Sequence, residues 1–98
     1  MDKFDPPARA EQLLRDFAST GTEESLVALK VGAHTYLVRA VGEAMGEAMI
    51  DQFSSLRRAR QGTEAQKEHA NAVLPDLIGA IQLRVKFALY DLERGRAS

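Results

Sequence analysis

The stretch Ala40–Met49, AVGEAMGEAM, contains one four-residue word twice, at 42–45 and again at 46–49. Four residues come close to one turn of an α-helix, so each residue type recurs on the same side. Glycine inside a helix costs about 1 kcal/mol relative to alanine, so its repetition needs a reason. Alanines share this helix, at 33, 40, 44 and 48. Small residues let another helix approach closely, which predicts a tight contact through Gly42 and Gly46, inside the fold or at a homodimer seam. A hinge is the remaining interpretation.

The helix that carries this stretch is predicted to be long. Thr22 is a good N-cap, and the next signal to stop is Gly62, with no proline between them. A helix over 23–61 would be about 60 Å long. The places where it could break are Gly32, Gly42 and Gly46, but none is followed at once by a capping residue. We therefore expect a continuous or gently bent helix.

Two further helices are predicted, over 6–19 and 64–94. Asp5 can cap the first, and Gly21 suits the left-handed position after it. The third begins with Thr63 and Gln66 at the spacing of a capping box. Its apolar residues keep helical spacing, at 70, 74, 77, 81, 85, 88 and 92. Pro75 lies inside it and predicts a kink rather than an end.

The long second segment carries two apolar stripes. The first consists of Leu26, Leu29, Ala33, Leu37, Ala40, Ala44 and Ala48. The second consists of Val27, Val31, Val38, Val41, Met45, Met49, Phe53 and Leu56. The third helix has an additional face of Ala80, Leu83, Phe87 and Tyr90. A helix that faces one core needs an apolar arc of only about 100°, so these faces exceed what a hairpin buries.

The predicted fold class is all-α: a short N-terminal helix followed by a long antiparallel helical hairpin, forming a single domain over 1–98. The surplus apolar surface predicts self-association, as a dimer, into a four-helix or larger bundle. The residues assigned to helix packing and to this interface are Ala40, Gly42, Ala44, Met45, Gly46, Met49, Leu83, Phe87 and Tyr90. At Gly46, leucine should disrupt the contact, whereas alanine should be tolerated.

Composition limits the function. The chain has 98 residues, 45% hydrophobic and 28% charged, with a formal net charge of −1 and no cysteine. These values are typical of a soluble globular protein and give no overall attraction to nucleic acid or anionic membranes. No stretch has the length of a membrane span, and the amino end does not read as a secretory signal. We expect a cytoplasmic protein without a membrane partner.

One short stretch suggests metal binding. The run QKEHA, at 66–70, resembles the EKEHA run of short ferritin-like proteins, half-bundles that dimerise around iron. That resemblance implies glutamate three residues before His69, where this chain has Gln66. The chain also lacks a glycine-rich phosphate loop and any recognisable catalytic spacing of serine, histidine and acid. We therefore expect no metal, no cofactor and no enzymatic activity.

The basic cluster in SLRRARQG, at 55–62, consists of Arg57, Arg58 and Arg60. Cations at the end of a helix favour its dipole, which is a sufficient structural cause. The same residues could contact an acidic protein or a phosphate, whereas nucleic acid is not expected, because stacking aromatics are missing nearby. The function predicted is a small non-catalytic helical interaction protein: a regulator, adaptor or inhibitor of another protein. The alternatives are a half-ferritin-like metal protein and a small nucleic-acid-binding dimer.

Overall fold

The computed structural model of the protein describes residues 4–97, which form five α-helices and no β-strand. The helices are α1 (Ala8–Thr20), α2 (Glu23–Gly32), α3 (His34–Val41), α4 (Glu43–Ala59) and α5 (Glu64–Ala97). α1, α3 and α4 pack on α5, while α2 packs on α1 and α3. None of the helices within the described residues combines the length and apolar content needed to cross a bilayer.

α5 sets the length of the molecule. It has 34 residues and runs through Pro75. At about 1.5 Å per residue a helix of that size is about 51 Å long. The molecule measures 51 × 25 × 20 Å, so the other four helices all fit within the length of α5.

The prediction of one helix over 23–61 is wrong, because this segment forms three helices. The first break is at Ala33, which has non-helical backbone angles (φ −151°, ψ 46°), and the second is at Gly42 (φ 120°, ψ 128°). Neither residue supplies a side-chain cap. At Gly42 the N–H donates to the Val38 carbonyl and closes α3, while the Gly42 carbonyl accepts from Gly46 and opens α4. The backbone alone makes both ends, so no capping residue marks them in the sequence.

The break at Gly42 changes which stripe faces the core. Before it, the buried residues of the segment are Leu26, Leu29, Ala33, Leu37, Ala40 and Val41, and all of them except Val41 belong to the first predicted stripe. After it, the buried apolar side chains are Ile50, Phe53 and Leu56, and the last two belong to the second stripe. Ala44 and Ala48 of the first stripe are exposed. Most of the two stripes is therefore covered by the chain itself, and the core closes without a second copy.

The connection between α1 and α2 follows the predicted signals. Gly21 has φ 61°, and its N–H donates to the Phe17 carbonyl at 2.8 Å, which ends α1 in the left-handed conformation. The Thr22 hydroxyl accepts from a backbone N–H three residues later at 3.1 Å and caps α2. Asp5 does not cap α1. Pro7 takes the N-cap position without a side-chain hydrogen bond.

The capping box predicted at the start of α5 is confirmed. The Thr63 N–H donates to Gln66 Oε1 at 2.9 Å, and the Gln66 N–H donates to Thr63 Oγ1 at 3.2 Å. Both side chains therefore satisfy backbone donors that a helix start leaves unpaired. This reciprocal pair fixes the point at which the chain turns from α4 into α5.

An ion-pair network fastens α1 to the end of α5. Glu11 accepts from Arg96 at 2.8 Å and from Arg15 at 2.9 Å, and Arg15 also donates to Glu93 at 2.8 Å. The hydrogen bonds from Arg96 and Arg15 lower the pKa of the Glu11 carboxyl from 4.5 to about 2. A lowered carboxyl pKa stabilises the fold above the unfolded value. The contribution of Glu11 is therefore full above pH 4.5 and is lost as the pH falls toward 2.

Candidate interaction surfaces

The outer side of α5 exposes three large apolar side chains in one line. Leu83 is 52% exposed, Phe87 58% and Tyr90 61%. Their spacing of four and three residues places them on one face of the helix, opposite the buried line through Ile81, Val85 and Leu89. All three belong to the predicted interface, and the structure leaves them uncovered by residues 4–97. We call this line the α5 outer face.

A groove of about 630 Å³ lies beside the α5 outer face, between α3 and α5. Phe87 borders the groove as well as the outer face. Apolar residues such as Val41 and Leu92 line it together with the charged side chains of Arg39, Arg84 and Asp91. The outer face therefore continues into a concave surface that is apolar with charges of both signs.

The glycine–alanine part of the predicted interface divides between core and surface. Ala40 and Gly46 are buried, Gly42 and Met49 are half-buried, and Ala44 and Met45 are exposed. Gly46 packs within the chain: a Cβ there would lie 2.7 Å from the Val38 carbonyl oxygen of α3. Gly46 is therefore in close contact with α3 inside the fold. Gly42 makes no such contact within the described residues, because a Cβ there would meet nothing within 4 Å.

The predicted basic cluster lines a second concavity, of about 440 Å³, which we call the basic pocket. Its lining consists of Lys30, Ser54, Arg57, Arg58, Arg60 and Gln61. Arg57 Nε donates to Glu23 Oε2 at 2.9 Å, and Arg60 donates to the same oxygen. Burial raises the pKa of the Glu23 carboxyl, but these two arginines outweigh it and leave that pKa lowered. Glu23 therefore stays ionised and holds two of the three predicted arginines.

Two members of this pocket, Lys30 and Ser54, lie outside the basic stretch 55–62. Lys30 Nζ donates to Ser54 Oγ at 2.6 Å, across a separation of 24 residues. The lysine reaches the pocket because α2 and α4 are separate helices whose long side chains meet there, whereas a single long helix would keep them on distant turns. A signal in the sequence is the i, i+3 spacing of Ser54 and Arg57 on one helix face, which points to a shared polar surface.

The residues that suggested metal binding are placed apart from any ligand cluster. Gln66 is engaged in capping, while Glu68 and His69 are exposed. Within residues 4–97 there is no group of three or more His, Cys, Asp or Glu side chains that could hold a metal ion. His34, also exposed, lies with Nε2 3.7 Å from Glu47 Oε2. None of the described residues is a buried polar or charged side chain.

A comparison of the chain with protein-family models, with curated proteins and with solved structures gives no match.

Proposed function

We propose that the protein is a non-catalytic helical interaction protein that works as a homodimer, with the α5 outer face as its seam. The observation that carries the proposal is the exposure of Leu83, Phe87 and Tyr90 in one line on the longest helix. Scattered apolar residues are normal on a protein surface, but a contiguous apolar patch marks an interaction site. Phe and Tyr are also among the residues enriched at interfaces.

The residues around this line favour a second copy of α5 as the occupant. Exposed residues continue it in both directions, giving Asp76, Ala80, Leu83, Phe87, Tyr90 and Arg94. The steps alternate between four and three residues, which is the spacing of a coiled-coil seam. Two antiparallel copies centred between Leu83 and Phe87 would place Leu83 against the partner's Phe87. The small Ala80 would face the bulky Tyr90, which suits close packing.

Charge favours the antiparallel orientation. In the antiparallel register Asp76 faces the partner's Arg94 at each end of the seam, so both ends carry opposite charges. A parallel pair would place Asp76 against Asp76 and Arg94 against Arg94. Like charges brought together at an interface are unfavourable and act against the wrong register. The resulting dimer has two-fold symmetry, which is the commonest symmetry of soluble homo-oligomers. As a cytoplasmic dimer, the protein would serve as a regulator or adaptor rather than as an enzyme.

Sedimentation equilibrium over a range of micromolar concentrations tests the dimer. The expected mass is twice the chain mass of 10.8 kDa. Phe87→Glu should yield monomers with an unchanged helical circular-dichroism spectrum, because the side chain is outside the core. Val31→Glu is the matched control: Val31 is 80% exposed but lies on α2, away from the seam. A wild-type mass of 10.8 kDa at every concentration, with a folded spectrum, would contradict the proposal.

A pair of charge reversals tests the register. Asp76→Arg should weaken the dimer, because two arginines would then face each other at both ends. Combining it with Arg94→Asp should restore the affinity in an antiparallel dimer. A parallel dimer would instead gain nothing from the second change, since like charges would still meet. Dissociation constants of the three proteins separate these outcomes.

A further inference from the structure

The basic pocket concentrates positive charge from two separate helices. Lys30 comes from α2, Arg57 and Arg58 from α4, and Arg60 from the turn after α4. The dipole of α4 accounts for the arginines in its last turn. It does not account for a lysine of α2 on the same concavity. The arrangement therefore goes beyond what helix stability requires.

The charges in the pocket do not balance. Four cations line it, and Glu23 is the carboxylate that pairs with two of them, Arg57 and Arg60, through one oxygen. Lys30 and Arg58 make no ion pair with another described residue: Lys30 Nζ donates to a serine hydroxyl, and Arg58 Nη2 contacts Ser55 Oγ at 3.3 Å. The site thus keeps an excess of three positive charges around about 440 Å³.

The donors are partly held in place before any ligand binds. Glu23 fixes the guanidinium groups of Arg57 and Arg60. Ser54 Oγ accepts from Lys30 at 2.6 Å, so its own hydroxyl proton is free to be donated into the pocket. An ammonium group has three donors, and Lys30 uses one of them on Ser54. A pocket lined by guanidinium, ammonium and hydroxyl donors matches the oxygens of a phosphate group.

We propose that the basic pocket binds an anion that carries phosphate groups. A single carboxylate would neutralise one of the three surplus charges, whereas a pyrophosphate group can neutralise all of them. Nucleobase recognition is not part of the proposal, because the aromatic ring nearest to these cations, Phe53 beside Arg57, is 1% exposed and cannot stack with a base. The phosphate can belong to a free anion or to a phosphorylated side chain, since both present the same oxygens.

Isothermal titration calorimetry with pyrophosphate, at physiological ionic strength, tests the pocket. Lys30→Gln and Arg58→Gln remove the two cations without a carboxylate partner, and each should weaken binding by about tenfold, the effect of one charge-assisted hydrogen bond. The matched control is Lys86→Gln, an exposed cation of α5 outside the pocket, which should leave the affinity unchanged. Thermal melts of all three variants verify that folding is retained.

Three further measurements identify the chemical class of the ligand. Citrate carries a similar charge on carboxylates, so citrate binding as tight as pyrophosphate binding would overturn the proposal. An equal loss in Lys86→Gln would also overturn it, because the attraction would then be diffuse. A phosphoserine peptide identifies the source: tighter peptide binding assigns the phosphate to a protein, tighter pyrophosphate binding to a free anion, and either supports the pocket. Failure of every probe overturns the pocket while leaving the α5 dimer, measured separately, intact.

Discussion

The two copies of Gly-Glu-Ala-Met are identical in sequence and differ in structure. Gly42 lies between two helices with φ 120°, and the space where its Cβ would be is empty to 4 Å. Gly46 lies inside α4 and is buried against the backbone of Val38. The first copy therefore needs glycine for its backbone angles, and the second needs it for a close approach. Repetition in the sequence does not imply a repeated contact.

The two glycines also depend on each other. Gly42 interrupts the helix between α3 and α4, and the two helices contact each other across the break. Gly46 then lies one turn into α4, and its N–H bonds to the Gly42 carbonyl. At that point the two helices are still close together, which leaves no room for a side chain. The turn at Gly42 creates the close approach that Gly46 permits.

The largest effect is expected at Gly46. Alanine there would bring Cβ within 2.7 Å of the Val38 carbonyl oxygen, so α3 and α4 must separate. Overpacking of this kind typically costs about 1–3 kcal/mol, and Gly46→Leu should cost more than Gly46→Ala. This expected loss replaces the sequence-based expectation that alanine is tolerated at Gly46. Urea unfolding followed by circular dichroism measures both variants.

Two controls isolate the cause at Gly46. Gly79→Ala, inside α5 with nothing within 4 Å of its Cβ, should stabilise the fold by up to about 1 kcal/mol through helix propensity. Val38→Ala should not rescue Gly46→Ala, because the obstructing atom is a backbone oxygen that the substitution retains. Full rescue, or a stabilising Gly46→Ala, would show that α3 and α4 are not in close contact at this point.

Local signals predict more of this fold than long-range relations do. Thr22, Gly21 and the Thr63–Gln66 pair are each recognisable because cap and capped group lie within a few residues. The breaks at Ala33 and Gly42 leave no such signature, since the backbone alone completes both ends. The prediction of one long helix over 23–61 causes a second error. Such a helix would keep Lys30 and Ser54 far apart, so their contact is not predicted.

Whether the residues of the candidate surfaces can be predicted also depends on whether their helix is continuous. Leu83, Phe87 and Tyr90 are identified from periodicity alone, because α5 is one helix and its main apolar line already accounts for the buried face. The core role of Ala40 and the exposure of Ala44 depend instead on the rotation introduced at Gly42. Periodicity within an unbroken helix is reliable, and periodicity carried across a break is not.

The effect expected at Gly42 is smaller than that of Gly46→Leu and similar in size to that of Gly46→Ala. Its angles lie near a region populated almost entirely by glycine, and holding another residue in such a region costs about 1–3 kcal/mol. Because no atom lies within 4 Å of the Cβ position, the loss should not depend on the size of the new side chain. Gly42→Ala and Gly42→Leu should be destabilised equally, in contrast to the size dependence at Gly46. A marked difference between them in urea unfolding would show that contacts, not backbone angles, decide this position.

The smallest expected change in stability comes from substituting the two methionines of the repeat. Met49 is half-buried and packs against the core, whereas Met45 is 49% exposed. Full burial of such a side chain contributes about 1.5–3 kcal/mol, so Met49→Ala should cost about 1 kcal/mol and Met45→Ala less than about 0.5 kcal/mol. Both substitutions gain helix propensity equally, so the difference between them reports packing alone. Thermal melts at a low protein concentration, where any dimer has dissociated, give that difference without a contribution from self-association. A larger loss of stability in Met45→Ala than in Met49→Ala would show that the face of α4 carrying Met45 meets the core. The change of core-facing stripe assigned to Gly42 would then be wrong.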